Sequence, residues 1–329
     1  MKKSNWLFSI MLIISVMITL SANNWISMWM GLELNMMSFI PLILEKTNKS
    51  SSEAAMIYFL VQSVSSILLI MMVMINMIKY LIPKEVINLL MTIAILIKLG
   101  AAPFHMWMPE MMSKMEWMKC SILMTWQKIA PLMMISNMNN TTIISLSIIW
   151  SVVIGSIGGI NQSSLRKMMG FSSINHLGWM LAINKSMNLW MLYLTIYSVM
   201  IVSISYMFMS YKMYFINQVS SLNLSNTEKM TLMMSMMSMG GLPPFIGFLP
   251  KWITIQSMIN SKEYLIILIM VMFSLITLMY YLRVMTNMYL SFNSTIKWFT
   301  INSNKMMTMI MITVNLSLPL MMMMDMYIM

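Results

Sequence analysis

Eleven apolar runs, most of them close to the roughly 20 residues that a helix needs to cross a hydrocarbon core, fill most of this chain. Bounded by Asn, Ser, Lys and Pro, they lie at 5–21, 25–44, 54–78, 86–106, 119–138, 141–160, 164–184, 188–215, 229–260, 263–285 and 306–326. The 329 residues are 59% hydrophobic and 9% charged, with a mean hydropathy of +0.78. Soluble domains carry about 25% charge, so a water-soluble fold is excluded. The runs are too long and too evenly apolar for barrel strands, which alternate with period two, and lipid offers the backbone no partners outside a helix. The pattern predicts an all-α membrane protein of about eleven transmembrane helices. Lys2 and Lys3 before an apolar run resemble the start of a signal peptide. Leu20-Ser-Ala-Asn-Asn24, however, leads straight into the next run, so residues 5–20 read as a retained first helix.

A net charge of +11 suggests nucleic acid in a soluble protein, but here the basic residues are scattered singly between apolar runs, which excludes a nucleic-acid face. Topology accounts for them. Thirteen fall on the N-terminal side, namely Lys2, Lys3, Lys46, Lys49, Lys114, Lys119, Arg166, Lys167, Lys212, Lys229, Arg283, Lys297 and Lys305, and only Lys79, Lys84, Lys185 and Lys262 fall on the other. By the positive-inside rule the N-terminus faces the cytoplasm-like compartment and the C-terminus the opposite one.

A single cysteine, Cys120, cannot supply a disulfide or the thiolates of an iron–sulfur cluster or structural zinc site. Gly155, Gly158 and Gly159 lie inside an apolar run without the strand that precedes a phosphate-cradling turn, and read as helix packing. A weak internal repeat is present: Gly100, Pro103, Phe104 and Pro109 match Gly241, Pro244, Phe245 and Pro250, each displaced by 141 residues. Span four thus aligns with span nine. Five spans per copy is odd, so the second copy lies upside down, as in inverted-repeat transporters. The expected organisation is a first repeat over 1–140 (spans 1–5), a second over 141–285 (spans 6–10), and a C-terminal loop with a last helix over 286–329.

Three lysines and one acid are left at membrane depth. At about 1.5 Å rise per residue, Glu33 is about 12 Å below Trp25, Lys98 about 18 Å from Val86, Lys128 about 14 Å below Lys119 and Lys251 about 14 Å from Asn260. All four fall near the midplane of a core about 30 Å thick. A charge there costs at least about 2.5–3.5 kcal/mol, and such residues usually mark an ion or proton path. A structural Glu–Lys pair that pins helices is the bland alternative. Three lysines cannot all pair with one acid, and burial disfavours the charged form of either side chain, so protons can come and go.

Proline placement points the same way, because each proline frees the carbonyl four residues earlier. Pro103 frees Leu99 beside Lys98, Pro131 frees Gln127 beside Lys128, Pro243 and Pro244 free Met239 and Gly240, and Pro250 frees Ile246. Helix breaks are expected at Gly100 and Pro103, at Pro131, and at Gly240, Gly241, Pro243, Pro244 and Pro250. Water beside the lysines would satisfy the freed carbonyls; packing kinks are the alternative, weighed equally for Pro131. His105 and His176 are candidate relays, weighed equally against structural hydrogen bonding. The 54 methionines read as apolar filler, and Trp6, Trp25, Trp107, Trp117, Trp190 and Trp298 as an interfacial aromatic belt.

Five stretches then resemble a known family: Trp29-Met-Gly-Leu-Glu33-Leu-Asn, Ile97-Lys98-Leu-Gly-Ala-Ala-Pro-Phe-His105, Thr125-Trp-Gln-Lys128-Ile-Ala-Pro131, Gly159-Ile-Asn-Gln-Ser-Ser-Leu-Arg166-Lys, and Gly240-Gly-Leu-Pro-Pro-Phe-Ile-Gly-Phe-Leu-Pro-Lys251-Trp. Their order, from about residue 25 to about residue 285, resembles the subunit 2 family of animal, insect-like, mitochondrial NADH:ubiquinone oxidoreductase, respiratory complex I. The methionine excess fits a mitochondrial code that reads AUA as methionine. The resemblance implies an antiporter-like bundle of two inverted five-helix repeats with a broken helix in each, in the mitochondrial inner membrane. Its N-terminus would face the matrix and its C-terminus the intermembrane space. It implies proton translocation through Glu33, Lys98, Lys128 and Lys251, coupled to quinone reduction elsewhere. It further implies no cofactor or metal in this chain, with NADH, flavin, iron–sulfur clusters and ubiquinone held by other subunits. Partners would be other membrane-arm subunits, antiporter-like and small hydrophobic ones, together with membrane lipid. A cation/proton antiporter on the same fold and a purely structural membrane subunit are the alternatives.

Overall fold

The computed structural model describes residues 3–44, 48–78, 83–138, 141–221, 224–290 and 305–319. Its helices are α1 (Lys3–Ser21), α2 (Trp25–Ile43), α3 (Lys49–Ile78), α4 (Lys84–Leu99), α5 (Trp107–Lys114), α6 (Trp117–Met124), α7 (Trp126–Ser136), α8 (Thr141–Ile160), α9 (Leu165–Ala182), α10 (Met187–Ser210), α11 (Ile216–Ser221), α12 (Asn226–Gly240), α13 (Phe248–Asn260), α14 (Tyr264–Leu290) and α15 (Lys305–Asn315). Among the described residues no strand forms; the one bridge pairs Ser164 with Phe215. Among the described residues five helical stretches are long and apolar enough to cross a membrane: Trp25–Ile43, Lys49–Ile78, Thr142–Ile160, Met187–Ser210 and Tyr264–Tyr289. The other expected spans are shorter, more polar or interrupted. The last one, 306–326, falls only partly on described residues, and Trp298 lies outside them.

The interruptions have a common design. α4 ends at Leu99 and Gly100 takes the left-handed conformation, φ 68°; α12 ends at Gly240 and Gly241 does the same, φ 79°. Both glycines cap the preceding turn with backbone N–H groups, Gly100 to Ile97 and Gly241 to Ser238. Pro103, and Pro243 with Pro244, lie in the linkers that follow. The helix then resumes at Trp107 and at Phe248, again 141 residues apart.

Four expectations need correction. Residues 107–114 are helical rather than a loop, and Pro109 and Pro250 sit in the first turns of α5 and α13. An N–H is not needed there, so Pro250 starts a helix and does not break one. Pro131 lies inside the continuous α7, and the interruption falls at Thr125. Thr125 lies six residues before Pro131, and its hydroxyl donates to the Ser121 carbonyl at 2.7 Å, a bond back to the preceding turn of the kind that bends helices. Trp117 and Trp190 are buried instead of forming a belt; the Trp117 indole donates to the Met213 carbonyl at 2.9 Å.

Glycine packing sets the closest helix pair. A Cβ on Gly155 of α8 would lie 2.6 Å from the Asn175 backbone nitrogen of α9, and Gly178 of α9 faces Ser151 and Val152 of α8. Gly158 and Gly159 admit the rings of Phe171 and Tyr280. The helix-packing reading of this glycine group therefore holds. α9 packs against α5, α6, α8, α10 and α13, and its Ser172, Ser173, Asn175 and His176 are buried. Charged side chains staple neighbouring segments together. Lys114 pairs with Glu53 at 2.9 Å. Arg166 donates to the Met115 carbonyl at 2.6 Å and lies over the Tyr214 ring. Arg283 donates to the carbonyls of Ile160 and Gln162.

Candidate proton-transfer site

Glu33 on α2 and Lys98 on α4 approach to 3.9 Å, within ion-pair reach but with neither charged atom in a hydrogen bond. The Lys98 side chain is 2% exposed and that of Glu33 22%. Lys98 owes its place to the end of α4, where its carbonyl accepts from Gln62 Nε2 of α3 at 3.2 Å. Beside it is a cavity with about 20 Å³ of room for water centres, lined by Asn35, Tyr58, Gln62 and Gln127 and reaching Lys128. That volume admits a water molecule with several polar partners. Tyr58 Oη donates to Gln127 Oε1 at 3.2 Å, and Gln127 Nε2 donates to Asn35 Oδ1 at 3.0 Å. A hydrogen-bonded wall thus runs between the first two lysines.

Lys128 of α7 is fully buried; its Nζ donates to the Ser173 carbonyl of α9 at 3.0 Å and lies 5.2 Å from the centroid of the Tyr197 ring of α10. The ring of His176, one turn further along α9, is centred 4.9 Å from that of the same tyrosine and tilted by 41°. Its Nδ1 is 2.8 Å from Tyr193 Oη. Lys251 of α13 crosses the second break to donate to the Gly240 carbonyl at 2.7 Å, and lies 5.6 Å from the Trp179 ring of α9. The Gly240 carbonyl is one of those freed by the paired prolines, so the break makes the acceptor that holds the lysine. Lys98, Lys128 and Lys251 are each therefore buried against a ring, a carbonyl or a carboxylate, an arrangement that can take up and give up protons without exposing charge to lipid.

The sequence from residue 22 to 277 matches the family described as NADH:quinone oxidoreductase/Mrp antiporter, transmembrane. NADH-ubiquinone oxidoreductase chain 2 of Anopheles gambiae is 44% identical over 316 residues, covering 93% of each chain. The protein of the same name from Locusta migratoria is 39% identical, covering 92% of this chain and 90% of its own. The chain belongs to the NADH-ubiquinone oxidoreductase chain 2 family. Solved structures agree on the fold. A chain of respiratory complex I from Thermus thermophilus superposes with a TM-score of 0.81 at 17% identity, covering 95% of this chain and 76% of that one. A chain of the Mrp complex of Dietzia follows at 0.77 and 15%, covering 88% and 61%.

Within this chain 2 framework Glu33, Lys98, Lys128 and Lys251 lie on four different helices, α2, α4, α7 and α13; Lys98 and Lys128 share the cavity, and Lys128 and Lys251 both meet α9. His105 does not join them: its Nδ1 turns back to the Pro103 carbonyl of its own linker at 3.1 Å. Sequence reasoning passed over Asn35, Tyr58, Gln62, Gln127, Tyr193 and Tyr197. The signal was available for the amides, because a carboxamide in the middle of an apolar run is itself costly unless bonded. The tyrosines carried none, being common among apolar residues in membrane helices.

Proposed function

We propose that the chain is a proton-translocating membrane-arm subunit of mitochondrial NADH:ubiquinone oxidoreductase, seated in the inner membrane among other antiporter-like and small hydrophobic subunits, with lipid around it. NADH, flavin, iron–sulfur clusters and ubiquinone belong to other subunits in this reading, in keeping with one cysteine here. The bundle comprises eleven spans with its N-terminus toward the matrix and its C-terminus toward the intermembrane space, as the thirteen-to-four distribution of basic residues favours. It divides into inverted repeats over 1–140 and 141–285, followed by 286–329. Supporting the repeat, an offset of 141 brings α1 onto α8, α2 onto α9, α3 onto α10, α4 and α5 onto α12 and α13, and the α6–α7 pair onto α14.

The proton passes along Lys98, Lys128, His176 and Lys251, while Glu33 controls how firmly Lys98 holds it. The observation that carries this is the Glu33–Lys98 approach at 3.9 Å beside a cavity shared with Lys128. A carboxylate drawn close stabilises the ammonium; its withdrawal, with Lys98 nearly sealed from solvent, sends the proton to the next lysine. His105, bonded within its own linker, stands outside the path. In an assembled complex, Lys98→Met should lower the number of protons pumped per NADH oxidised, whereas Lys84→Met, at an exposed position, should not. Full assembly with an unchanged ratio at Lys98→Met would leave the pair a structural pin.

A further inference from the structure

Far from the four charges, the ends of α7, α9 and α13 and the starts of α8, α10 and α14 enclose a second cavity, of about 530 Å³. That size lies within the range of ligand sites, about 300–1,000 Å³, and far exceeds the roughly 30 Å³ share of one water. One part of its wall is apolar: Ile144 and Ile148 of α8, Leu181 of α9, Leu189 of α10 and Met258 of α13. The connections at the helix ends add two opposite charges, the exposed Lys185 and the half-buried Glu263. Neither is in an ion pair among the described residues. Ser136, Ser145, Ser186, Ser257 and Ser261 complete the polar part. Each donates its hydroxyl hydrogen to the carbonyl three residues earlier, at 2.7–3.1 Å. A hydroxyl has one hydrogen and two lone pairs, so what these serines still offer a ligand is acceptors.

We infer that this cavity binds a zwitterionic phospholipid with a primary ammonium, of the phosphatidylethanolamine class, its phosphate on Lys185, its ammonium on Glu263 and the serine oxygens, and an acyl chain along the apolar wall. The inference deepens, and rests on, the reading of the chain as a membrane-arm subunit with lipid around it. Two separately placed charges of opposite sign match a headgroup that carries both. A purely anionic headgroup would meet Lys185 but leave the Glu263 carboxylate facing negative charge. Choline brings a cation without an N–H, whereas a primary ammonium has three to give to a carboxylate and to acceptor oxygens, and such charge-assisted bonds are about twice as strong as neutral ones. Water alone fits poorly, because the isoleucine, leucine and methionine wall gives it no partners. The placement also suits a lipid: the ends of spanning helices lie at headgroup level, and the helix interiors beside the hydrocarbon.

The test uses the assembled complex in phosphatidylcholine nanodiscs doped with a photoactivatable probe, either phosphatidylethanolamine or phosphatidylcholine with the same diazirine-bearing acyl chain. Mass spectrometry after digestion reads the adducts at the cavity's lining residues. The ethanolamine probe should label them roughly threefold or more above the choline probe, the factor expected of one water-screened charge contact. Glu263→Gln should erase that preference. Lys185→Met should lower labelling by both probes, since both carry the phosphate, while native electrophoresis still shows the intact complex. Equal labelling by the two probes in the parent complex, a preference that survives Glu263→Gln, labelling untouched by Lys185→Met, or no labelling by either probe, as a neighbouring protein segment in the cavity would cause, would each overturn the inference. Lys98→Met, whose pumping ratio judges the proton path, leaves the cavity's residues in place and should label as the parent does, so the two readings fail separately.

Discussion

Replacing Glu33 with glutamine keeps the side chain's shape and removes its charge. At 3.9 Å, two unit charges in an effective dielectric of about 20 interact with about 4 kcal/mol. Glu33 retains some contact with its surroundings, its side chain being 22% exposed, so screening reduces the figure to about 2–4 kcal/mol. Moving one charge through a membrane potential costs about 2.3 kcal/mol per 100 mV, so the lost interaction is comparable with what roughly 90–170 mV would have to supply. A nearly sealed ammonium that loses its partner is neutralised rather than kept charged. Lys98 can then no longer be loaded in step with the catalytic cycle. The expected outcome for Glu33→Gln is full assembly, continued NADH oxidation and fewer protons pumped per NADH, read from the quench of a pH-sensitive dye in proteoliposomes. In a Lys98→Met background the same substitution should add nothing, because the two residues form one unit. An assembled Glu33→Gln complex with the parent's pumping ratio, or losses that add in the double variant, would refute the argument.

Two further outcomes follow from glycine positions. Gly241→Ala forces a left-handed alanine, costing about 1–2 kcal/mol, and its Cβ would lie 2.7 Å from Lys251 Cδ; the flexible lysine yields and leaves the Gly240 carbonyl, so pumping should fall while native electrophoresis still shows the assembled complex. Gly155→Ala meets the Asn175 backbone, which cannot yield in the same way, so α8 and α9 must part at about 1–3 kcal/mol, and a lower melting temperature with less assembled complex is expected.

The amino-acid order alone settled the helical class, because a chain this apolar can satisfy its backbone in lipid only within each helix or in a closed barrel, and barrel alternation is missing. It also placed the first and last breaks, since Gly100 with Pro103 and Gly241 with Pro243 and Pro244 are local chemistry that acts wherever the chain lies. Counting 1.5 Å per residue was enough to single out Glu33, Lys98, Lys128 and Lys251 as charges far from the ends of their apolar runs. What each of them faces was not legible. An evenly apolar helix has no polar side to mark its rotation, so nothing along the chain said that Lys128 would meet the Ser173 carbonyl, or that Tyr193 would meet His176 from 17 residues away. The same holds for the interruption that fell at Thr125 instead of Pro131, and for Trp117 and Trp190, which packed inward. The partner of a buried side chain is decided by how helices distant in sequence pack together, and that is fixed only by the assembled bundle.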